Sequence, residues 1–402
     1  MSAEAVILCA APYVADPAWL APACESALRD EIEAAFPPTA RVAYACPSAG
    51  PGLVFAEAAL ARGAELHLFL PCAPEDFARW HVAPAGPAHL ARFEAVRAAA
   101  ARVDTSGEER LAGDEIQLRF NNQVLQGLAR LHADALGAAA RLLVCWSPAA
   151  PAEPGSPADF MDQWPEIERL SLIDLDEPRG GTDAPLADIA PGLGALAFGA
   201  SPLVVRAIFF ADLATYSTLR DEQVPLLWDF LAEVQMRIEA RSTAPILINT
   251  WGDAVHAAAE TATDLAGYAA ELTEGVAELD LDRFGLEARP RFRVALHAGP
   301  VYVGLHPLTG RSMIFGHHVN RAARIEGVAA PGEIYASQHF VALLRAEMDA
   351  RQHEALLTGQ PFAPEFAMTY VGEMELPKKF GRETVYRVEP LAPSRPLPAP
   401  AA

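Results

Sequence analysis

The stretch Phe315-Gly-His-His-Val-Asn-Arg-Ala-Ala-Arg-Ile-Glu326 places an amide, Asn320, and a guanidinium, Arg324, four positions apart, directly after an apolar run and a glycine. Residues four apart lie on one face of a helix, so this pattern predicts a helix that presents both side chains to one ligand. Val319, Ala322, Ala323 and Ile325 are predicted to pack against the core. A different use of Arg324 is an ion pair with Glu326 or another surface acid.

Two acidic residues precede this helix at positions where strands end or turn. Asp212 closes the strand-like run Ile208-Phe-Phe-Ala-Asp212, and Asp253 lies in the turn of a candidate hairpin, Ile248-Asn-Thr-Trp-Gly-Asp-Ala-Val255. Either aspartate alone is typical of a solvated turn. Two carboxylates together with an Asn/Arg pair are the parts of a magnesium-dependent phosphoryl-transfer site.

Two more motifs complete an ordered set: Arg293-Val-Ala-Leu-His-Ala-Gly-Pro-Val301 and Pro331-Gly-Glu-Ile-Tyr-Ala-Ser337. In this order and spacing, residues 203–390 resemble the catalytic domain of the class III adenylate and guanylate cyclases. The resemblance implies an α+β, ferredoxin-like fold. It also implies conversion of a nucleoside triphosphate, with ATP as the expected substrate, to a 3′,5′-cyclic nucleotide and pyrophosphate in cyclic-nucleotide signalling.

The resemblance assigns roles to individual residues. Asp212, Asp253 and the backbone carbonyl of Leu213 would hold two Mg²⁺ or Mn²⁺ ions per site, Asn320 would orient the ribose, and Arg324 would stabilise charge on the transferred phosphorus. In this family the metal carboxylates and the Asn/Arg helix come from different protomers. A head-to-tail homodimer with sites at the interface is therefore implied, with the hairpin around 300–315 as its arm.

The chain departs from the family pattern where the base is read. Adenylate cyclases carry Lys and Asp at the two positions occupied here by Asn249 and Met313, and guanylate cyclases carry Glu and Cys. An amide both donates and accepts, so Asn249 could read more than one base, whereas Met313 offers only weak polar contact. Thr215 also replaces a glycine that usually follows the first metal aspartate.

The triphosphate of the family's substrate meets a lysine near the last strand. An ungapped match places Phe380 at that position, so Lys379 is the candidate, with two solvated turn lysines as the alternative. These departures support a second hypothesis, an inactive or weakly active cyclase-like module that binds nucleotide and serves as a sensor or dimerisation domain.

Residues 1–185 read as a separate α/β domain. Short apolar runs at Val6–Ala10, Glu65–Leu70 and Arg141–Trp146, separated by alanine-rich stretches, predict parallel strands with crossover helices, and a further strand is expected at 167–175. A Gly-rich turn with Gly50 and Gly52 opens a helix that carries Glu57. It resembles Rossmann-like nucleotide sensors of the SLOG type, which implies a nucleotide-derived ligand; a plain loop and a hydrolase or transferase around Glu57 are the alternatives.

Composition limits the remaining classes. The chain has 402 residues and a net charge of −21, which argues against nucleic-acid or anionic-membrane partners. Its five cysteines show no paired spacing, and no leader or membrane span is predicted, so a cytoplasmic protein with reduced thiols is expected. Residues 186–202 are predicted to be a linker and 391–402 a disordered tail. The histidines 297, 306, 317 and 318 match no zinc spacing.

Overall fold

A computed structural model describes residues 5–13, 16–111, 114–150, 152–177, 203–214, 216, 219–239, 245–286 and 289–391. The chain divides into two compact units, Met1–Ala200 and Ser201–Ala402. The predicted linker at 186–202, Thr215 and the predicted tail beyond Leu391 lie outside the described residues. Within the described residues, no helix is both long enough and apolar enough to cross a bilayer.

The first unit is a parallel α/β sheet, which confirms the predicted class. Its strands follow the spatial order β4-β3-β2-β1-β5-β6, and every described pairing is parallel. The strands are β1 Ala5–Ala10, β2 Ala40–Ala45, β3 Glu65–Leu70, β4 Arg102–Thr105, β5 Ala139–Trp146 and β6 Leu170–Asp174. The helices are α1 Pro22–Ala35, α2 Pro51–Ala61, α3 Pro74–Phe77, α4 Pro87–Ala99, α5 Asp114–Ala135 and α6 Pro157–Asp162.

The burial of each strand explains whether the sequence predicted it. β1 is buried along its whole length, and strands covered on both faces appear as apolar runs. β2 and β4 were not predicted, because β2 starts with half-buried and exposed residues and β4 is four half-buried residues with two charges. The strand expected at 167–175 begins only at Leu170, after a 3₁₀ turn.

The second unit is a mixed sheet with helices on both faces. Its strands follow the order β13-β14-β12-β10-β7-β9-β8, and β11 pairs with β10. The strands are β7 Leu203–Leu213, β8 Leu247–Trp251, β9 Ala254–Ala259, β10 Phe292–Leu305, β11 Ser312–Phe315, β12 Ile334–Ser337, β13 Phe366–Glu375 and β14 Arg382–Pro390. The helices are α7 Val224–Glu239, α8 Ala262–Glu278, α9 His317–Glu326 and α10 Gln338–Thr358.

The side chains of β7, which point alternately to the two faces of the sheet, show which helix covers each face. Phe209 packs edge-to-face on Tyr268 of α8, with ring centroids 5.4 Å apart. Ile208 instead shares a buried cluster with Ala322 of α9. Because successive side chains of a strand point to opposite faces, α8 and α9 lie on opposite faces of the sheet. Asp212 comes four residues after Ile208 in the same strand, so its side chain points to the same face of the sheet, the face that α9 covers.

The sequence predicts two strands in this region, at about 291–298 and 300–305, and this prediction is wrong. β10 runs unbroken through Gly299 and Pro300. Proline is tolerated here because residue 300 has a strand neighbour on one side only: β7 pairs with it, while β12 reaches only Val294–Leu296 and β11 begins pairing at Tyr302.

Candidate active site

The two predicted metal aspartates lie side by side. β7 and β9 pair with Ala211 opposite Val255, so Asp212 comes next to the tip of the β8–β9 hairpin, where Asp253 lies. This tip is a two-residue turn in which Gly252 has φ +66°, a conformation that glycine adopts without strain. Strand register and turn geometry together therefore place the two carboxyl groups in contact.

The closeness of these carboxyl groups affects the pKa of Asp212. Burial, then the negative charge of Asp253 and a hydrogen bond with it, raise the pKa of Asp212, while the guanidinium of Arg293 on β10 opposes the rise. Two carboxylates that share a site disfavour each other's ionised form. A divalent cation between them would remove that repulsion.

A third carboxyl group, which the sequence analysis had not assigned to this cluster, belongs to Glu326 at the end of α9. Burial and the charges of Asp212 and Asp253 raise its pKa to about 7, again opposed by Arg293. Its Oε1 is buried without a hydrogen-bond partner among the described residues. The alternative in which Arg324 pairs with Glu326 is therefore wrong: residues two apart on a helix point in nearly opposite directions.

Asn320 and Arg324 remain available for a ligand. Asn320 is exposed on the second turn of α9, and Arg324, one turn further, has a buried Nε without a hydrogen-bond partner among the described residues. The guanidinium of Arg324 lies 5.5 Å from the centre of the Phe380 ring. The predicted packing face is present as well, since Ala322 and Ile325 are fully buried.

The first turn of α9 is held by buried histidines. His297 of β10 bonds through Nδ1 to the Ser337 hydroxyl at 2.7 Å and through Nε2 to Nδ1 of His318 at 2.9 Å. His339 completes the cluster, with its ring centroid 5.2 Å from that of His297. These rings bond to each other and to protein groups. Within the described part of the chain, no three or more His, Cys, Asp or Glu side chains are placed to hold a metal ion together, and this includes the trio Asp212, Asp253 and Glu326.

The predicted base-reading residues do come together. Asn249 and Met313 line one cavity of about 280 Å³, and the amide of Asn249 donates to the backbone oxygen of Ser312 at 3.3 Å. His256 also lines it; its ring stacks on Phe210 at 4.6 Å, and burial lowers its pKa to about 4, so the imidazole is neutral at pH 7. The lining residues are Phe210, Asn249, Thr250, Ala254, His256, His306, Thr309, Arg311, Ser312 and Met313.

The remaining predicted residues lie elsewhere. Lys379 is exposed in the turn between β13 and β14, at φ +63°. In the first unit, Gly50 and Gly52 do open α2, with Gly50 at φ +95°. Glu57, further along α2, bonds to Arg92 of α4 at 2.7 and 2.9 Å and to Arg29 of α1. Its carboxylate therefore ties three helices together.

Comparisons with known proteins match the second half of the chain to one family. Residues 204–388 match the model of the adenylate and guanylate cyclase catalytic domain. Retinal guanylyl cyclase 2 of Bos taurus is 27% identical over 205 residues, which cover 48% of this chain and 17% of that protein. Retinal guanylyl cyclase 1 of Mus musculus is 26% identical over 205 residues, with the same coverage. The chain thus matches about a sixth of the length of these relatives.

Solved structures of cyclase domains each cover just under half of this chain. The adenylyl cyclase CyaB from P. aeruginosa has 18% identity and a TM-score of 0.37, covering 49% of this chain and 100% of that one. The guanylate cyclase domain of RhGC from Catenaria anguillulae, in complex with GTP, has 20% identity and a TM-score of 0.36, covering 46% and 96%. By the family match and the motifs described above, residues 204–388 of this chain belong to the adenylate and guanylate cyclase catalytic domain family.

Proposed function

We propose that the chain is a nucleotidyl cyclase that converts ATP to cyclic AMP and pyrophosphate at sites shared between two copies of itself. The observation that carries the proposal is the contact of Asp212 with Asp253, on a sheet face covered by α9, whose Arg324 has an Nε without a hydrogen-bond partner among the described residues. Two carboxylates at a strand end and a free guanidinium suit a triphosphate and its metal ions.

The donor set fits divalent cations. Asp212 and Asp253 supply carboxylate oxygens, and the Leu213 carbonyl is a further candidate. Burial and then the charge of Asp253 raise the pKa of Asp212, and a bound cation would offset both effects. Mg²⁺ prefers such oxygen ligands and completes its shell with water and phosphate. When bound, two Mg²⁺ or Mn²⁺ ions per site would activate the ribose 3′-hydroxyl and neutralise the phosphates.

The geometry of α9 supports a dimeric site. Glu326 lies close to Asp212 and Asp253 of its own chain, and Arg324, two residues earlier, points nearly the opposite way. Arg324 and Asn320 therefore face away from the aspartates of their own chain. A second copy, related by a two-fold axis, would bring its aspartates to this helix face and complete two equivalent sites.

The protein groups would act by positioning and by charge. Asn320 would hold the ribose so that its 3′-oxygen lies in line with the α-phosphate, and Arg324 would stabilise the charge that develops on that phosphate. The base would occupy the cavity lined by Asn249 and Met313. None of the described lining residues is acidic, and an amide pairs well with the N6 and N7 edge of adenine, which supports ATP over GTP.

The test uses the full chain with each of the four ribonucleoside triphosphates and Mg²⁺ or Mn²⁺, with cyclic products identified by mass spectrometry. Asp212→Ala and Arg324→Ala should each lower the rate about a hundredfold or more. Two variants serve as controls and should leave the rate unchanged. Asp221→Ala removes an exposed carboxylate, and Arg351→Ala removes an arginine that pairs with Glu365. Absence of every cyclic product from a folded wild-type dimer would refute the cyclase proposal.

The second candidate is a nucleotide-binding module with little or no turnover. Asn249 and Met313 favour it, because they replace the charged base-reading residues of active relatives and leave the cavity with few strong polar contacts. Under this reading, calorimetry would detect binding of ATP with Mg²⁺ while mass spectrometry detects no cyclic product.

A further inference from the structure

The turn between β13 and β14 has an unusual backbone. Lys378 and Lys379 adopt left-handed conformations, with φ of +59° and +63°, and Gly381 follows at φ +73°. Two consecutive left-handed residues with side chains are unfavourable, because each Cβ atom comes too close to the following carbonyl oxygen. Such conformations persist only where surrounding contacts impose them, and they concentrate at functional sites.

Contacts with the C-terminal end of α9 hold this turn in place. The Leu376 amide donates to the Gly381 oxygen at 2.7 Å, and Leu376 is buried in a cluster with Ile325. Pro377 packs beside Gly327, where a Cβ atom would lie 3.4 Å from the proline Cγ. The strained turn is therefore fixed against the helix that carries Asn320 and Arg324.

The turn places the ring of Phe380 against α9. Phe380 stacks on His317 with ring centroids 5.6 Å apart and planes 15° apart, and the Arg324 guanidinium lies 5.5 Å from the centre of the same ring. His317, Asn320 and Arg324 are spaced three and four residues apart, so they share one helix face. Phe380 consequently lies along the face of α9 that carries the two proposed substrate contacts.

A guanidinium that lies over an aromatic ring, as that of Arg324 does, keeps more of its N–H donors free than one in an ion pair. A carboxylate partner would occupy the N–H groups at the edge of the guanidinium, whereas an aromatic ring attracts the cation through its face and leaves the edge free. Arg324 forms no ion pair within the described residues, and its Nε is without a partner there. The ring thus restricts the orientation of Arg324 without consuming the donors that a phosphate needs.

We propose that Phe380 is a positioning residue for Arg324, held at α9 by the strained turn of residues 376–381. Phe380 sets the direction of the guanidinium before substrate binds. This role rests on the proposed cyclase function of Arg324. It also explains why an aromatic residue stands where the family pattern has a phosphate-binding lysine.

The kinetic test compares three variants of the full chain. Phe380→Leu keeps an apolar side chain without a π-face and should lower kcat about five- to thirtyfold with KM changed less than about twofold. Phe380→Trp restores the face and should recover most of kcat. Tyr370→Leu, which removes an exposed aromatic from β13 of the same hairpin, is the matched control and should have no effect.

Two kinetic results would overturn the proposal. A Phe380→Leu protein with wild-type kcat would show that only apolar packing matters. A Phe380→Lys protein faster than wild type would show that the position merely lacks the family's lysine.

A measurement independent of turnover separates this proposal from the cyclase proposal. Thermal unfolding of Phe380→Leu, Arg324→Ala and the double variant forms a cycle, and the double variant should be more stable than the two single shifts predict, by about 1–3 °C. Additive shifts would refute the contact even in an active enzyme. A wild-type protein without any cyclic product would refute the cyclase function, while the cycle would still decide whether Phe380 restrains Arg324.

Discussion

At the residue scale, Asn249 shows how one side chain can serve both the fold and the substrate. Its amide donates to Ser312 of β11 at 3.3 Å and lines the proposed base cavity beside Met313. A neutral amide leaves this cavity without a formal charge at the two positions that distinguish adenylate from guanylate cyclases. Under the proposed function, hydrogen-bond geometry rather than charge would select the base at these two positions.

Replacing both positions should change base preference. In the variant Asn249→Lys with Met313→Asp, the two charged groups of adenylate cyclases enter the cavity, and kcat/KM for ATP relative to GTP should rise about tenfold or more, because each well-placed polar contact discriminates by about 1–3 kcal/mol. The variant Asn249→Glu with Met313→Cys should move the ratio toward GTP. An unchanged ratio in both variants would place the base outside this cavity.

Gly299 is a second residue whose role depends on one neighbour. A Cβ atom at this position would lie 2.2 Å from Nδ1 of His318. Gly299→Ala should therefore destabilise the protein by about 2 kcal/mol or more, since overpacking a closely packed site forces shifts in backbone and side chain. Gly327→Ala, where the nearest atom would lie at 3.4 Å, should be close to neutral.

Testing Gly299→Ala in a His318→Ala protein shows whether contact with His318 causes the loss of stability. In a His318→Ala protein the imidazole is absent, so Gly299→Ala should cost less there than in the wild type, as measured by urea unfolding. An equal cost in both backgrounds would mean that backbone flexibility, and not contact with His318, requires glycine.

At the scale of elements, α9 is fixed along its first half by contacts that the sequence could not reveal. His318 bonds to His297 of β10, and Arg321 bonds through Nε to Glu383 of β14 at 2.5 Å, in a region where Glu383 is almost fully buried. The helical period and the Asn320/Arg324 spacing were predictable because they are local. The partners lie 21 and 62 positions away, so only the folded sheet brings them to the helix.

The histidine cluster at the start of α9 predicts a loss of stability in acid. Burial, and then the charges of neighbouring histidines and Arg321, hold the pKa values of His297 and His318 well below their usual range. The unfolded chain, with histidine pKa values of about 6.5, therefore binds more protons below that pH than the folded chain does. Stability is full above pH 6.5 and should fall as the pH decreases from there.

The expected net loss is about 1–2 kcal/mol between pH 6.5 and 5.5, because each uncompensated proton contributes about 1.4 kcal/mol per pH unit. His256, with its pKa lowered to about 4, adds to this loss, and Glu326, with its pKa raised to about 7, opposes it. Urea unfolding of the full chain at several pH values measures it. His318→Asn removes one titrating group and should make the dependence shallower, while His353→Asn, a histidine near the end of α10, serves as a control. A wild-type profile that stays flat down to pH 5.5 would contradict the prediction.

At the scale of the molecule, the sequence was most informative where a motif is short and rigid. β3 was predicted with its observed bounds, and Asp212, Asp253, Asn320 and Arg324 were predicted as one set from their order. Phe380 was not assigned to the site, because its place depends on two lysines in left-handed conformations that residue preference argues against. The alternative ion pair between Arg324 and Glu326 is wrong, because residues two apart on a helix point in nearly opposite directions.

The two faces of α9 lead to the last prediction, which concerns the assembled protein. Because Arg324 points away from the aspartates of its own chain, Asp212→Ala and Arg324→Ala damage different halves of each proposed site. Heterodimers of the two variants would contain one site with both lesions and one with none. Co-expression with two affinity tags and sequential purification isolates such heterodimers, whose activity should be about half that of the wild-type dimer.

If the sites are shared, a heterodimer of two variants that damage the same half of the site should be inactive. Asp212→Ala and Asp253→Ala damage the same half, so their heterodimer has a lesion in one or the other carboxylate at every site and should stay inactive. Recovery in the first heterodimer and not in the second would distinguish a shared site from an activity contained in one chain. A heterodimer of Asp212→Ala and Arg324→Ala that remains inactive, although its purification proves assembly, would mean that each copy completes its own site, and the direction of Arg324 would then need another explanation.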